Sequence, residues 1–215
     1  MNHGRKTIKG VYLVTDENAC RHHNLETVVS EAARAGTTIV QLREKKLDTR
    51  SFLDRALALK AIIEPFKIPL IINDRVDIAL AANADGVHIG QSDMPYKAAR
   101  KILGRDAVIG LSVETWEDVT TAQDLDVDYI GVSPVFSTPT KTDTKEPWGI
   151  SGLEKIKKYS CHPLVAIGGI SSSNAARVIK AGADAIAVVC AICSAQDTFK
   201  ATRRLDSLFK KTINP

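Results

Sequence analysis

Cysteine is scarce in this chain. Cys20, Cys161, Cys190 and Cys193 are too few and too irregularly spaced across 215 residues for a disulfide framework, so a reducing compartment is expected. Long apolar runs are missing too. Residues 1 to 10 lead only into Val11-Tyr12-Leu13-Val14, which stops at Thr15-Asp16, short of a secretory core or a spanning helix. No Pro/Gly/Ser-rich linker and no block of like charge divides the chain, so residues 1–215 are read as one domain. The formal charge is only +4, with Lys and Arg scattered among acids. Without a basic stripe, nucleic acid is not an expected partner. What is present, 44% hydrophobic and 25% charged residues, suits a substantial globular core. The expectation is a cytoplasmic protein acting on small molecules, with a homodimer as the commonest assembly of such proteins.

Strand-like and helix-like stretches alternate with little between them. Strands are predicted at 11–15, 39–43, 70–73, 86–89, 107–111, 129–133, 164–167 and 185–189. Helices are predicted at 25–35, ended by Gly36, from Asp48 or Thr49 to Glu64, and at 76–82, 95–103, 114–124, 151–158, 173–181 and 196–211. Leu70-Ile71-Ile72, Leu164-Val165-Ala166-Ile167 and Ala185-Ile186-Ala187-Val188-Val189 are the continuous aliphatic runs of parallel strands buried on both faces. Eight β/α units with short connections favour a (β/α)8 TIM barrel. The alternative is an open Rossmann or flavodoxin-like sheet. It lacks support because Thr15-Asp16-Glu17-Asn18 stands where a glycine-rich dinucleotide loop would follow the first strand.

In such a barrel, chemistry collects at the C-terminal ends of the strands, and the unusual polar residues do lie there. After Thr38-Ile39-Val40 comes Gln41-Leu42-Arg43-Glu44-Lys45, where strand alternation sends Gln41, Arg43 and Lys45 to one side and Leu42 and Glu44 to the other. Cations facing inward call for an anion to neutralise them. Asn73-Asp74-Arg75 and Gln91-Ser92-Asp93 follow the third and fourth strands. Taken singly, Asp74 reads as a helix N-cap and Asp93 as a turn residue. Together, beside phosphate-binding cations, the two carboxylates suit Mg²⁺, which takes one or two protein carboxylates plus water and substrate oxygens. Ser112 ends the fifth strand, as a ligand contact or as a cap for the helix near Glu114. Thr138, Thr140 and Lys141 follow the sixth strand. Gly168-Gly169 and Val189-Cys190 follow the seventh and eighth, where main-chain N–H groups of these barrels often hold phosphate. Two anion sites imply two phosphorylated substrates. Cys190-Ala191-Ile192-Cys193 has metal or redox spacing but no second pair. His88 reads as a hydrogen-bonded interior group, and Trp116 and Trp148 as packing residues.

Tyr12-Leu13-Val14-Thr15-Asp16, Gln41-Leu42-Arg43-Glu44-Lys45, Ile72-Asn73-Asp74-Arg75, the run Asp85 to Asp93, the stretch Gly131 to Lys141, Ala166-Ile167-Gly168-Gly169-Ile170 and Ala187 to Ile192 resemble, in order, the thiamine-phosphate synthase family. The resemblance implies a (β/α)8 barrel that joins 4-amino-2-methyl-5-hydroxymethylpyrimidine diphosphate to a thiazole phosphate, giving thiamine monophosphate and pyrophosphate. It further implies that Gln41, Arg43, Lys45, Asn73 and Lys141 hold the diphosphate, with Leu42 and Glu44 in the same binding segment, and that Ser112 contacts the pyrimidine. Asp74 and Asp93 would bind Mg²⁺. Thr138, Pro139, Thr140, Gly169, Val189 and Cys190 would form the thiazole phosphate site, and Arg43, Lys45, Lys141 and Ser112 would act in catalysis. One departure is visible: the family usually has serine where this chain has Cys190. Two rival readings are a thiazole tautomerase on the same barrel and a non-catalytic phospholigand-binding protein. Neither needs the complete set Arg43, Lys45, Asp74, Asp93 and Lys141.

Overall fold

A computed structural model of the chain describes residues 8–138 and 145–213; the candidate residues Pro139, Thr140 and Lys141 lie outside the described residues. Eight parallel strands close on themselves in sequence order, each hydrogen-bonded to the next and the last to the first. They are β1 (Gly10–Val14), β2 (Thr37–Leu42), β3 (Leu70–Asn73), β4 (Gly86–Ile89), β5 (Val108–Val113), β6 (Tyr129–Val132), β7 (Leu164–Ile167) and β8 (Ala185–Val188). The intervening helices are α1 (Leu25–Ala35), α2 (Thr49–Ile63), α3 (Val76–Ala81), α4 (Tyr96–Leu103), α5 (Trp116–Ala122), α6 (Gly149–Tyr159) and α7 (Ala175–Lys180). A short α8 (Cys190–Cys193) precedes the last helix, α9 (Thr198–Ile213). Among the described residues no helix is long and apolar enough to cross a membrane.

Local chemistry sets the helix ends. Asn24 and Asp48 cap α1 and α2 by accepting from the Thr27 and Ser51 N–H groups, and Gly36 ends α1 at φ 112°, a left-handed turn that a Cβ would strain. Thr115 and Asp118 form a reciprocal capping box on α5. The sequence pattern missed α8, and it ended the fifth strand two residues early.

Closure divides the core in two. Leu13, Val40, Leu42, Ile72 and Ile186 face outward and pack under the helices. Tyr12, Val14, Ile39, Ile71, Val108, Tyr129, Val165 and Ala187 fill the barrel axis. Glycines make room for Tyr129 and His88. A Cβ on Gly110 would overlap the Tyr129 ring, and one on Gly131 would lie 2.9 Å from Cε1 of His88.

Three aspartates tie the strands at the end away from the loops that carry the candidate residues. The carboxylate of Asp85, just before β4, accepts from Leu70 N at 2.9 Å while its own N–H donates to Leu70 O at 2.9 Å. Asp128 does the same with Ile109, at 2.8 and 2.9 Å, and Asp184 with Leu164, at 2.9 Å both ways. Arg100 and Lys157 pair with the Asp128 and Asp184 carboxylates at 3.0 and 2.7 Å. Between β1 and β2 the corresponding link is the Thr38 hydroxyl, which donates towards Lys9 O and Val11 O at 2.7 and 3.0 Å. Since a hydrogen bond to a charged group contributes about 1.5 to 3 kcal/mol, Asp128→Ala is expected to lower the unfolding free energy by about 2 to 3 kcal/mol in urea denaturation. Ligand affinity at the opposite end should be unchanged.

Candidate active site

The C-terminal ends of the strands surround a cavity of about 790 Å³. Gln41, Arg43, Lys45, Asn73, Asp74, Asp93, Ser112, Thr138, Gly169, Val189 and Cys190 all line it, so the barrel brings together candidates spread over 150 positions of sequence. Leu42 and Glu44 do not. Leu42 is fully buried under the helices, and Glu44 is turned to α2, where its carboxylate pairs with Arg55 at 2.7 Å. Arg55 also binds Glu17 at 2.7 Å. The side chains of Leu42 and Glu44 thus face away from the cavity that their neighbours line: β2 ends at Leu42, and its alternation sends them away from the axis.

Arg43 and Lys45 reach the cavity from the loop beyond β2. Arg43 N donates to Thr15 Oγ1 at 3.0 Å, which fixes where the loop leaves the strand. Inward cations call for an anion, and here each already faces a protein carboxylate. Lys45 Nζ lies 2.5 Å from Asp74 Oδ2, and Arg43 Nη1 lies 3.9 Å from Asp16 Oδ2. Both pairs are partly exposed, so solvent weakens them and a multivalent anion can compete.

Asp74 is not a helix cap. Arg75 occupies the cap position of α3, while Asp74 sits at φ 62°, held by its N–H donating to His88 O at 2.8 Å. That left-handed backbone aims its carboxylate at Lys45 and Asp93. The Asp93 carboxyl is pushed above the ordinary carboxylate value, first by burial and then by the neighbouring Asp74, against the pull of the Gly90 N–H bonded to it at 2.7 Å. Asp93 is thus a turn residue and a cavity residue at once. Two facing carboxylates form a hard-oxygen pair that fits a Mg²⁺ ion. Among the described residues no group of three or more His, Cys, Asp or Glu gathers in this way, so the remaining positions would be filled by substrate oxygens and water.

Asn73 is 7% exposed, and its amide Nδ2 has no acceptor among the described residues. A buried donor left without a partner costs about 1 to 3 kcal/mol, which an acceptor-rich ligand would recover. Gly168 and Gly169 take φ 104° and 61°, and a Cβ on Gly169 would meet Ser137 O at 2.7 Å. The loop after β6 therefore lies directly on this glycine pair. Cys190 opens α8 at the cavity edge. Trp148 donates to Ser133 O at 3.2 Å, and Trp116 packs on Tyr159; neither lines the cavity.

Ser112 does not cap α5. Its hydroxyl meets His88 Nε2 at 2.8 Å, and Gln91 Nε2 donates to its carbonyl at 2.7 Å. His88, Tyr12 and Tyr129, absent from the candidate set, also line the cavity. The available signal was a tyrosine or histidine at an inward strand position, between residues that are otherwise aliphatic or glycine.

Glu44 and Arg43 are neighbours with separable roles. Glu44→Gln is expected to cost about 1 to 2 kcal/mol of stability through its partly buried ion pair and to leave binding of inorganic pyrophosphate intact. Arg43→Gln should weaken pyrophosphate binding while shifting stability by less than about 0.5 kcal/mol. Urea denaturation and calorimetric titration of both variants check the pair.

Comparison with known proteins agrees with this geometry. The family described as thiamine monophosphate synthase matches residues 11–192. The thiamine-phosphate synthase of Leptospira biflexa is 56% identical over 206 residues, covering 94% of this chain and 98% of that protein. The one from Albidiferax ferrireducens is 55% identical over 198 residues, covering 92% and 90%. A solved structure of thiamine phosphate pyrophosphorylase from Pyrococcus furiosus superposes with a TM-score of 0.88 at 35% identity, over 97% of this chain and 98% of the other. With one profile spanning most of the barrel and relatives above half identity along nearly its full length, this chain belongs to the thiamine-phosphate synthase family.

Proposed function

We propose that the protein joins 4-amino-2-methyl-5-hydroxymethylpyrimidine diphosphate to a thiazole phosphate, or its carboxylated form, and releases thiamine monophosphate and pyrophosphate. The observation that carries this reading is the Asn73 Nδ2, which has no acceptor among the described residues and is buried next to Asp74, in a cavity that Lys45 and Asp93 also line and whose far rim is the Gly168-Gly169 and Val189-Cys190 loops. Acceptor oxygens of a diphosphate suit the first group. A second phosphate suits main-chain N–H groups at the glycine loop.

In the reaction the bond between the pyrimidine methylene and the diphosphate oxygen breaks, and the electron pair leaves with pyrophosphate. Negative charge grows on the leaving group. Positive charge grows on the methylene and is spread into the aminopyrimidine ring. The thiazole nitrogen, already uncharged, supplies the pair for the new carbon–nitrogen bond and needs no base. Arg43 and Lys45, with Lys141 assigned from sequence, hold the departing oxygens, and Asn73 donates to them. Mg²⁺ held by Asp74 and Asp93 would supply further neutralisation of that leaving group. Charges fixed before the reaction act strongly in such a site, where losing one donor costs about 10² to 10³ in rate. The enzyme forms no covalent adduct in this scheme.

Supplied with both substrates and Mg²⁺, the protein should release pyrophosphate. Failure of that assay would favour a tautomerase or a non-catalytic binder. Asp74→Ala should weaken Mg²⁺-dependent diphosphate binding and leave thiazole phosphate binding largely intact, as read by calorimetry with each ligand alone. Equal loss of both would contradict separate subsites.

A further inference from the structure

A single file of hydrogen bonds crosses the barrel beneath the cavity. Gln41 Nε2 donates to the Tyr12 hydroxyl at 2.8 Å, Tyr12 and Tyr129 hydroxyls meet at 2.8 Å, Tyr129 meets His88 Nδ1 at 3.0 Å, and His88 Nε2 meets Ser112 Oγ at 2.8 Å. We infer that this file has one direction, and that His88 is a positioning residue that turns Ser112 into a hydrogen-bond donor towards the substrate. The available hydrogens fix that direction. An amide nitrogen only donates, so Tyr12 receives from Gln41 and must place its own hydrogen elsewhere. Tyr12 is 1% exposed, and Tyr129 is its other hydroxyl partner.

Tyr129 in turn receives from Tyr12 and is fully buried, so its hydrogen goes to His88 Nδ1. A proton already on Nδ1 would leave that hydroxyl hydrogen with no acceptor, in a place where an unmet donor costs about 1 to 3 kcal/mol. His88 therefore carries its proton on Nε2 and donates it to Ser112. The Ser112 oxygen, whose other side is the cavity, is left with a hydrogen pointing outward. Burial holds both tyrosines above their ordinary phenol values, so neither breaks the file by ionising.

The ring of His88 is itself confined by Tyr129 and Gly131. It stacks on Tyr129 with centroids 5.5 Å apart, and Gly131 leaves the space that Cε1 occupies. Oxygens of a diphosphate accept and never donate, so a serine fixed as donor matches that group. On the proposed reaction, which this part of the inference rests on, it would strengthen as charge grows on the leaving oxygen. The same serine with its hydrogen tied back to His88 would present a lone pair to an anion.

Two experiments decide the matter. Nitrogen NMR of protein labelled at its five histidines, with His88 assigned by the signal lost in His88→Gln, should show a bare Nδ1 and a protonated Nε2. A proton on Nδ1 would overturn the inference whatever the enzyme's activity. The second experiment is steady-state kinetics of variants checked for unchanged melting. His88→Gln places an amide N–H near the Nε2 position, whereas His88→Asn reaches only towards Tyr129. Asparagine should lower kcat by about 10² or more with KM little changed, and glutamine should recover at least about tenfold of that loss. Ser112→Ala combined with His88→Asn should be no worse than Ser112→Ala alone, because both act through one hydroxyl. Equal activity of the glutamine and asparagine variants, or additive losses in the double variant, would refute it. A wild-type protein that releases no pyrophosphate would instead sink the proposed reaction, and the NMR result would still settle the direction of the file.

Discussion

Closure of the sheet is the constraint from which the rest follows. Once eight parallel strands join edge to edge, every second side chain must enter a narrow axis, and the strands must share one volume among them. The chain meets that demand unevenly. Glycines at Gly110 and Gly131 make way for Tyr129 and His88, and the small residues Ala185 and Ala187 share the axis with them. Polar tips at the upper end of an otherwise dry axis can then meet only one another or whatever fills the cavity.

The same closure gathers the strand ends at one rim, and this is why residues from the ends of the strands line one cavity. Charge at that rim is balanced in advance. Lys45 faces Asp74, Arg43 faces Asp16, and Arg55 holds Glu17 and Glu44. A cation that already has a partner can sit at the mouth of a barrel without repelling its neighbours, and it remains available because both members of the two cavity pairs keep some contact with water.

The architecture was legible in the sequence because eight aliphatic runs separated by capped helices leave few alternatives, and the boundaries fell close where a cap such as Asp48 or Gly36 marked them. The polar rim was legible as a set for the same reason: each member follows a strand. The sense in which a side chain points was harder to read. Strands buried on both faces carry no apolar–polar alternation, so nothing in Leu70-Ile71-Ile72 or Tyr129-Ile130-Gly131 says which residue meets the axis. Tyr12 and Tyr129 were hidden by that degeneracy, whereas the polar positions of Gln41-Leu42-Arg43-Glu44-Lys45 did let alternation place Leu42 and Glu44 on the opposite side. Partners distant in sequence, such as Lys45 with Asp74 or Ser112 with His88, have no local signature at all. Neither does α8, one turn long and without a capping side chain.

The aspartates at the lower end repeat with a period of two strands, joining β3 to β4, β5 to β6 and β7 to β8, with Thr38 standing in between β1 and β2. Seams of this kind make the barrel a ring of four quarter-units, each a pair of strands with a helix between them, stitched internally at its base. At this lower end a carboxylate and a carbonyl together lock the register within three of the quarters, and the Thr38 hydroxyl does so in the fourth; between quarters the base is held by the backbone ladder and packing, and side-chain bonds such as His88 to Ser112 and Lys45 to Asp74 cross the joints only at the upper end. Breathing motions should therefore open the ring along the joints between quarters and leave each pair of strands intact.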